Sequence, residues 1–151
     1  MHSLVRRYIK TAIAFLVAGL LIGGYLLVRR ELLGVHATPY EISAHTHLIL
    51  VGFVMMMILG VALWLFPRPT KEDAQYSPTA ANIAYWLLAI GTAVRGLAEL
   101  AVQLPQSQWI AWMIVTSGLA QIVGLVVFFY TMWSRIRGVG SQLRESKGER
   151  F

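Results

Sequence analysis

Cysteine is absent from the 151 residues, which removes disulfides, thiolate metal sites and cysteine-ligated iron–sulfur clusters from the chemistry open to the chain. Charge is scarce as well. Only 13% of the residues are Asp, Glu, Lys or Arg against 57% hydrophobic, and mean hydropathy is positive, so a solvated globular surface is hard to assemble from this composition. No linker or low-complexity stretch is long enough to divide the chain. A single four-transmembrane-helix domain is therefore expected over residues 1–137, followed by a polar cytoplasmic tail over 138–151 that frays.

What the sequence does contain is apolar runs. A hydrocarbon core of about 30 Å takes about 20 residues of helix per crossing. Four stretches of that length follow one another with short polar connectors between them: Thr11 to Val28, Leu48 to Phe66, Ala80 to Leu104 and Trp109 to Trp133. The fold class expected is all-α, an integral membrane four-helix bundle. The first run follows Arg6, Arg7 and Lys10 in the manner of a signal peptide, yet it is long and has no small-residue cleavage site ahead of Arg29 and Arg30, so it reads as a retained helix. Thr38, Pro39 and Glu41 supply an N-cap, a first-turn proline and a capping-box acid for the second helix, which should begin before the membrane proper; Ser77 and Pro78 repeat the device for the third. Gly19 and Gly23 in the first helix, and Gly118 and Gly124 in the fourth, leave grooves for close helix approach.

Net charge is +6. On a soluble protein that balance would suggest nucleic acid, but here the basic residues fall at helix ends, so the partner they indicate is the lipid bilayer. Arg6, Arg7, Lys10, Arg68, Lys71, Arg135, Arg137, Arg144, Lys147 and Arg150 are ten of the thirteen. Arg29 and Arg30 stand alone at the opposite end. Short loops rich in Lys and Arg stay in the cytoplasm, so the N and C termini and the loop from Pro67 to Ser77 face inward, the connector from Arg29 to Glu41 faces outward, and the expected location is the cell inner membrane, multi-pass. Tyr8, Tyr40, Trp64, Tyr130 and Trp133, near helix ends, read as an interfacial belt.

Ala44-His45-Thr46-His47, at the outer end of the second helix, is the segment richest in possible chemistry, because ionisable side chains at membrane depth are rare and usually face an interior or a cofactor. Two readings are open: histidines hydrated in the headgroup region, or ligands of a metal or haem. Residues two apart on a helix point about 200° away from each other. His45 and His47 therefore cannot clamp one iron between them; they serve two cofactors, or only one ligates, or each meets a partner histidine from a neighbouring chain. The other histidines are His2, in the N-terminal tail, and His36, in the outer connector, so a bis-histidine haem needs His36 or a second chain. Arg95 and Glu99 share one face of the third helix at i, i+4 spacing. They form a mutual ion pair, or Arg95 neutralises a haem propionate, for which its always-charged fork is suited. Met55, Met56 and Met57 would suit Cu(I) as soft thioethers, but consecutive helix positions diverge by about 100°, so they read as lipid-facing and packing residues.

These residues resemble the first four helices of subunit I of the haem-copper oxidases, across nearly the whole chain. The resemblance is carried by Arg30-Glu31-Leu32 at the end of the first helix, and by Ala44-His45 with Gly60 and Trp64-Leu65-Phe66-Pro67 in the second. Asn82-Ile83-Ala84-Tyr85-Trp86-Leu87-Leu88 in the third and Gly118-Leu119-Ala120-Gln121-Ile122-Val123-Gly124 in the fourth complete it. It implies that His45 is an axial ligand of a low-spin haem. The stretch from Ala44 to Pro67 is similar also to that family's tenth helix, whose His-x-His motif gives one histidine to each of two haems. Subunit I is built of three four-helix arcs, so this chain looks like one arc, and three copies would rebuild the ring with haem between His45 of one chain and His47 of the next. The chain departs from the family in stopping after four helices, and in lacking both a further histidine cluster for copper and a histidine–tyrosine crosslink pattern. Oxygen reduction by this chain alone is accordingly not expected.

The function expected is a haem b-binding membrane protein. It would be a homo-oligomer with a trimer favoured, would act in electron transfer or in response to a small gas such as O2 or NO, and would have respiratory electron carriers as candidate partners. His45 and His47 are the metal ligands, with Arg95 completing the cofactor site. The alternatives are a cofactor-free accessory or assembly subunit of a respiratory complex, or a copper site at His45, His47 and His36.

Overall fold

Capping residues write the helix starts. In a computed structural model, which describes residues 3–67, 75–102, 108–136 and 147–148, Thr38 Oγ1 accepts from the Glu41 amide at 3.3 Å while Glu41 Oε2 accepts from the Thr38 amide at 2.7 Å. Both halves of the capping box are thus made, and Pro39 occupies the first turn, where its missing N–H is no loss. Ser77 Oγ accepts from the Ala80 amide at 3.2 Å ahead of Pro78. The first helix, α1 (Ser3–Leu33), starts before Thr11 and runs on through Arg29 and Arg30, because nothing in those flanks breaks a helix. Gly34 ends it by taking φ +64°, and the Val35 amide then donates to the Arg29 carbonyl at 3.1 Å.

The second helical stretch is not uniform. It begins as α2 (Pro39–His47), widens into a π-helical segment (Leu48–Met55) and finishes as α3 (Met56–Leu65). After it come α4 (Pro78–Ala101), α5 (Gln108–Met132) and a 3₁₀ turn (Trp133–Arg135). Among the described residues there is no strand. Four helices are long and apolar enough to cross a membrane, over Ser3–Leu33, Pro39–Leu65, Pro78–Ala101 and Gln108–Arg135; the shortest, of 24 residues, spans about 36 Å at 1.5 Å per residue. The pattern is that of a multi-pass membrane protein.

Neighbours in space follow chain order. α1 packs on the π segment and α3, α2 packs on α4, and α4 packs along α5. At the end where α1 and α4 begin and α3 and α5 finish, the four close on a shared core of Tyr8, Met56, Leu59, Leu88, Phe128 and Met132, all 0–1% exposed. The Tyr8 ring stands edge-on to Tyr85 and to Phe128, with centroids 5.1 and 5.9 Å away, and its hydroxyl donates to the Ala81 carbonyl. Arg135 closes this end by donating to the carbonyls of Leu63, Phe66 and Pro67, acceptors that a helix C-terminus leaves open. Two expectations are corrected here. Tyr8 is core rather than interfacial belt, because its hydroxyl finds a backbone acceptor inside. The packing role expected of the three methionines is present, with Met55 and Met57 partly buried against the same core, but Met56 is fully buried and does not face lipid. Tyr40, Trp64, Tyr130 and Trp133 are exposed, as belt residues would be.

Candidate functional site

At the other end of the bundle α2 lies between α1 and α4, with Ala44 fully buried and the two histidines half-buried on opposite flanks. His45 turns toward α1. Its Nδ1 is 2.9 Å from the Gly19 carbonyl oxygen, which can only accept, so Nδ1 carries the proton. The ring lies over Gly23, where a Cβ would stand 2.7 Å from His45 Cε1. His47 turns toward α4. Its Nδ1 donates to the Ser43 carbonyl at 2.8 Å, one turn back on the same face, with Ser43 Oγ at 3.2 Å and Glu99 Oε2 at 3.7 Å.

Glu99 gathers the polar groups of this flank. Ser43 Oγ donates to its Oε1 at 2.8 Å and Arg95 Nε donates to the same oxygen at 3.1 Å. The carboxylate is 2% exposed, whereas Arg95 is 25% exposed. Glu99 Oε2 is the one buried side-chain nitrogen or oxygen among the described residues that has no hydrogen-bond partner. The Arg95 guanidinium passes over α5 at Gly118, where a Cβ would meet Nη1 at 2.7 Å. Among the described residues its two terminal nitrogens take no partner, so they are available to an anion. One turn along α4, Gln121 Nε2 of α5 donates to Thr92 Oγ1 at 3.0 Å, satisfying another polar pair that lipid could not.

A histidine that holds a metal usually fixes its ring by donating one N–H to a carbonyl or carboxylate and binds through the other nitrogen. Both rings here have that form: each Nδ1 is held by a backbone carbonyl, and neither Nε2 has a hydrogen bond or is buried. The two imidazoles face opposite flanks and do not converge within one chain, so each leaves one open nitrogen to a separate ligand, with Arg95 beside His47's partner Glu99. His36 is exposed in the connector, where its carbonyl accepts from Arg29 at 3.4 Å, and His2 lies outside the described residues. Among the described residues no three His, Asp or Glu side chains come together to hold a metal ion. The i, i+4 pairing of Arg95 with Glu99 is present as expected. Ser43 and Gly23 were not foreseen as parts of the site; the i, i+4 spacing of Ser43 and His47 was a signal for the first, whereas the second rests on how α1 meets α2. Compared with family models, curated proteins and solved structures, the chain matches none.

Proposed function

We propose that this protein binds haem b through His45 and His47, each iron being held between two copies of the chain, and that it serves in electron transfer or in response to a small gas. The observation that carries the reading is the matched form of the two rings: Nδ1 donated to a backbone carbonyl and Nε2 open, on opposite flanks of α2. In this reading each haem iron takes one histidine from each of two chains, whereas the three histidines of the copper alternative, His45, His47 and His36, do not come together among the described residues. Arg95 is the partner of a propionate through its terminal nitrogens. Haem held by His45 and His47 would supply one-electron chemistry, with a potential set by those histidines and the hydrogen bonds that orient them. The basic residues at the closed end support an inner-membrane protein with both termini in the cytoplasm and the histidines toward the outer face, where respiratory electron carriers are candidate partners.

A second reading, a cofactor-free accessory subunit of a respiratory complex, is favoured by one observation: Arg95 already has a carboxylate partner in Glu99. One experiment separates the two. Purified protein should be red, with a reduced-minus-oxidised haem spectrum that disappears in His45→Ala and in His47→Ala. Colourless protein that co-purifies with oxidase subunits would replace the first reading with the second.

A further inference from the structure

Gly23 and Gly24 are adjacent in α1, but they stand in different places. A Cβ at Gly24 would meet nothing within 4 Å, while one at Gly23 would lie 2.7 Å from His45 Cε1, 3.1 Å from Nδ1 and 3.5 Å from Nε2. The three atoms nearest to where a side chain at position 23 would begin are thus all ring atoms of one histidine. Glycine inside a helix is less favourable than alanine, and along this flank what it provides is the seat of the imidazole. The turn below completes the seat: Gly19, four residues earlier, offers the carbonyl that receives the Nδ1 proton at 2.9 Å. Ala44 in α2 and Leu48 at the start of the π segment are both buried on either side of His45, so the backbone that carries the ring has little room to retreat from a methyl group.

We propose that Gly23 is a positioning residue for His45: its missing side chain lets the ring lie flat on α1, with Nδ1 on the Gly19 carbonyl and Nε2 turned outward to a ligand. This deepens the haem reading and rests on it for what Nε2 binds, but the seat exists whether or not haem is present. A methyl group at position 23 displaces the ring and breaks the Nδ1 bond, so the imidazole loses its single tautomer. The same methyl at position 24 does nothing to it.

The test uses the full-length protein in detergent, labelled with 15N-histidine and prepared without added haem, with His45 resonances assigned by their loss in His45→Asn. In the native chain His45 should be held as the Nδ1–H tautomer. In Gly23→Ala the tautomer ratio should shift toward Nε2–H by about fivefold, the effect of losing one neutral hydrogen bond, while Gly24→Ala keeps the native shifts. Unchanged His45 ring nitrogens in Gly23→Ala would overturn the proposal, as would an equal shift in Gly24→Ala. Haem titration of the same three proteins gives the separate readout. If the native protein takes no haem, the cofactor reading fails while the positioning role stands or falls on the ring shifts alone. If it takes haem, Gly23→Ala should move the haem midpoint potential and Gly24→Ala should not.

Discussion

Glu99 has one carboxylate oxygen engaged by Ser43 and Arg95 and the other facing His47 Nδ1 at 3.7 Å with no donor. Removing the carboxylate leaves Arg95 without an acceptor inside an apolar span, whereas removing both charges leaves neither stranded. Glu99→Leu should therefore cost about 2 kcal/mol, in the range of a hydrogen bond to a charged group, and the double variant Arg95→Leu/Glu99→Leu should cost less than Glu99→Leu alone. Reversible unfolding in mixed micelles measures both; a double variant as damaged as the sum of the singles would mean the pair is not coupled. Arg95→Leu also bears on the cofactor, because it should weaken haem retention if a propionate uses the terminal nitrogens, and leave haem content unchanged if Glu99 is the whole of its role. Much at this scale was legible in the sequence. Histidines two apart must diverge and charges four apart must meet, since helix geometry alone dictates both. Gly23 under His45 and Tyr8 inside the core were not legible, because each depends on which helix lies opposite, and that is decided by contacts far along the chain.

The α4–α5 interface shows how far a spacing of small residues can be read. Gly118 and Gly124 allow the close helix approach that the sequence suggested, and both face α4, but they meet different things. A Cβ at Gly124 would stand 3.1 Å from Leu87 Cβ and 3.3 Å from the Ala84 carbonyl, atoms that move only if the helices part. At Gly118 the nearest atom is Arg95 Nη1, the end of a long flexible side chain. Gly124→Ala should thus destabilise the bundle by about 1–3 kcal/mol, the usual cost of overpacking, while Gly118→Ala should be nearly neutral for stability and alter only where Arg95 points. Thermal unfolding of the two variants side by side decides this, and equal losses would refute the distinction. The π segment of the second span is a counter-example to legibility. Leu48 to Met55 reads Leu-Ile-Leu-Val-Gly-Phe-Val-Met, a run with no polar residue to reveal its period, so an ordinary helix was the natural expectation. The widening lies wholly after His47, which is why the divergence of the two histidines, argued for α-helical spacing, still holds in α2. π turns recur at functional sites, and this one begins at the residue after the second histidine.

At the scale of the whole molecule, the two flanks of α2 decide how copies can assemble. His45 opens on the α1 side and His47 on the α4 side, so an iron shared between chains joins one flank of one copy to the opposite flank of the next. Made once per interface and repeated head to tail, such a contact closes as a ring or runs on as a filament, whereas a two-fold dimer would make both His45–His47 pairs across one interface. The proposed ring has three members because the family that the sequence resembles is built of three such arcs. The purified protein is then expected at three times 16.9 kDa after detergent is subtracted, with one low-spin haem per chain. Complementation makes a sharper test. His45→Ala and His47→Ala chains should each fail to hold six-coordinate haem, because every junction in either homotrimer lacks a ligand. Co-expressed under different tags and purified through both, they form mixed rings in which the His45 of one kind meets the His47 of the other at a single junction, so about one haem per ring should return. Failure of the mixture to regain low-spin haem would sink the shared-iron arrangement. A monomer that keeps six-coordinate haem would do the same, and would leave His36, exposed on the connector beside α2, as the second ligand to test.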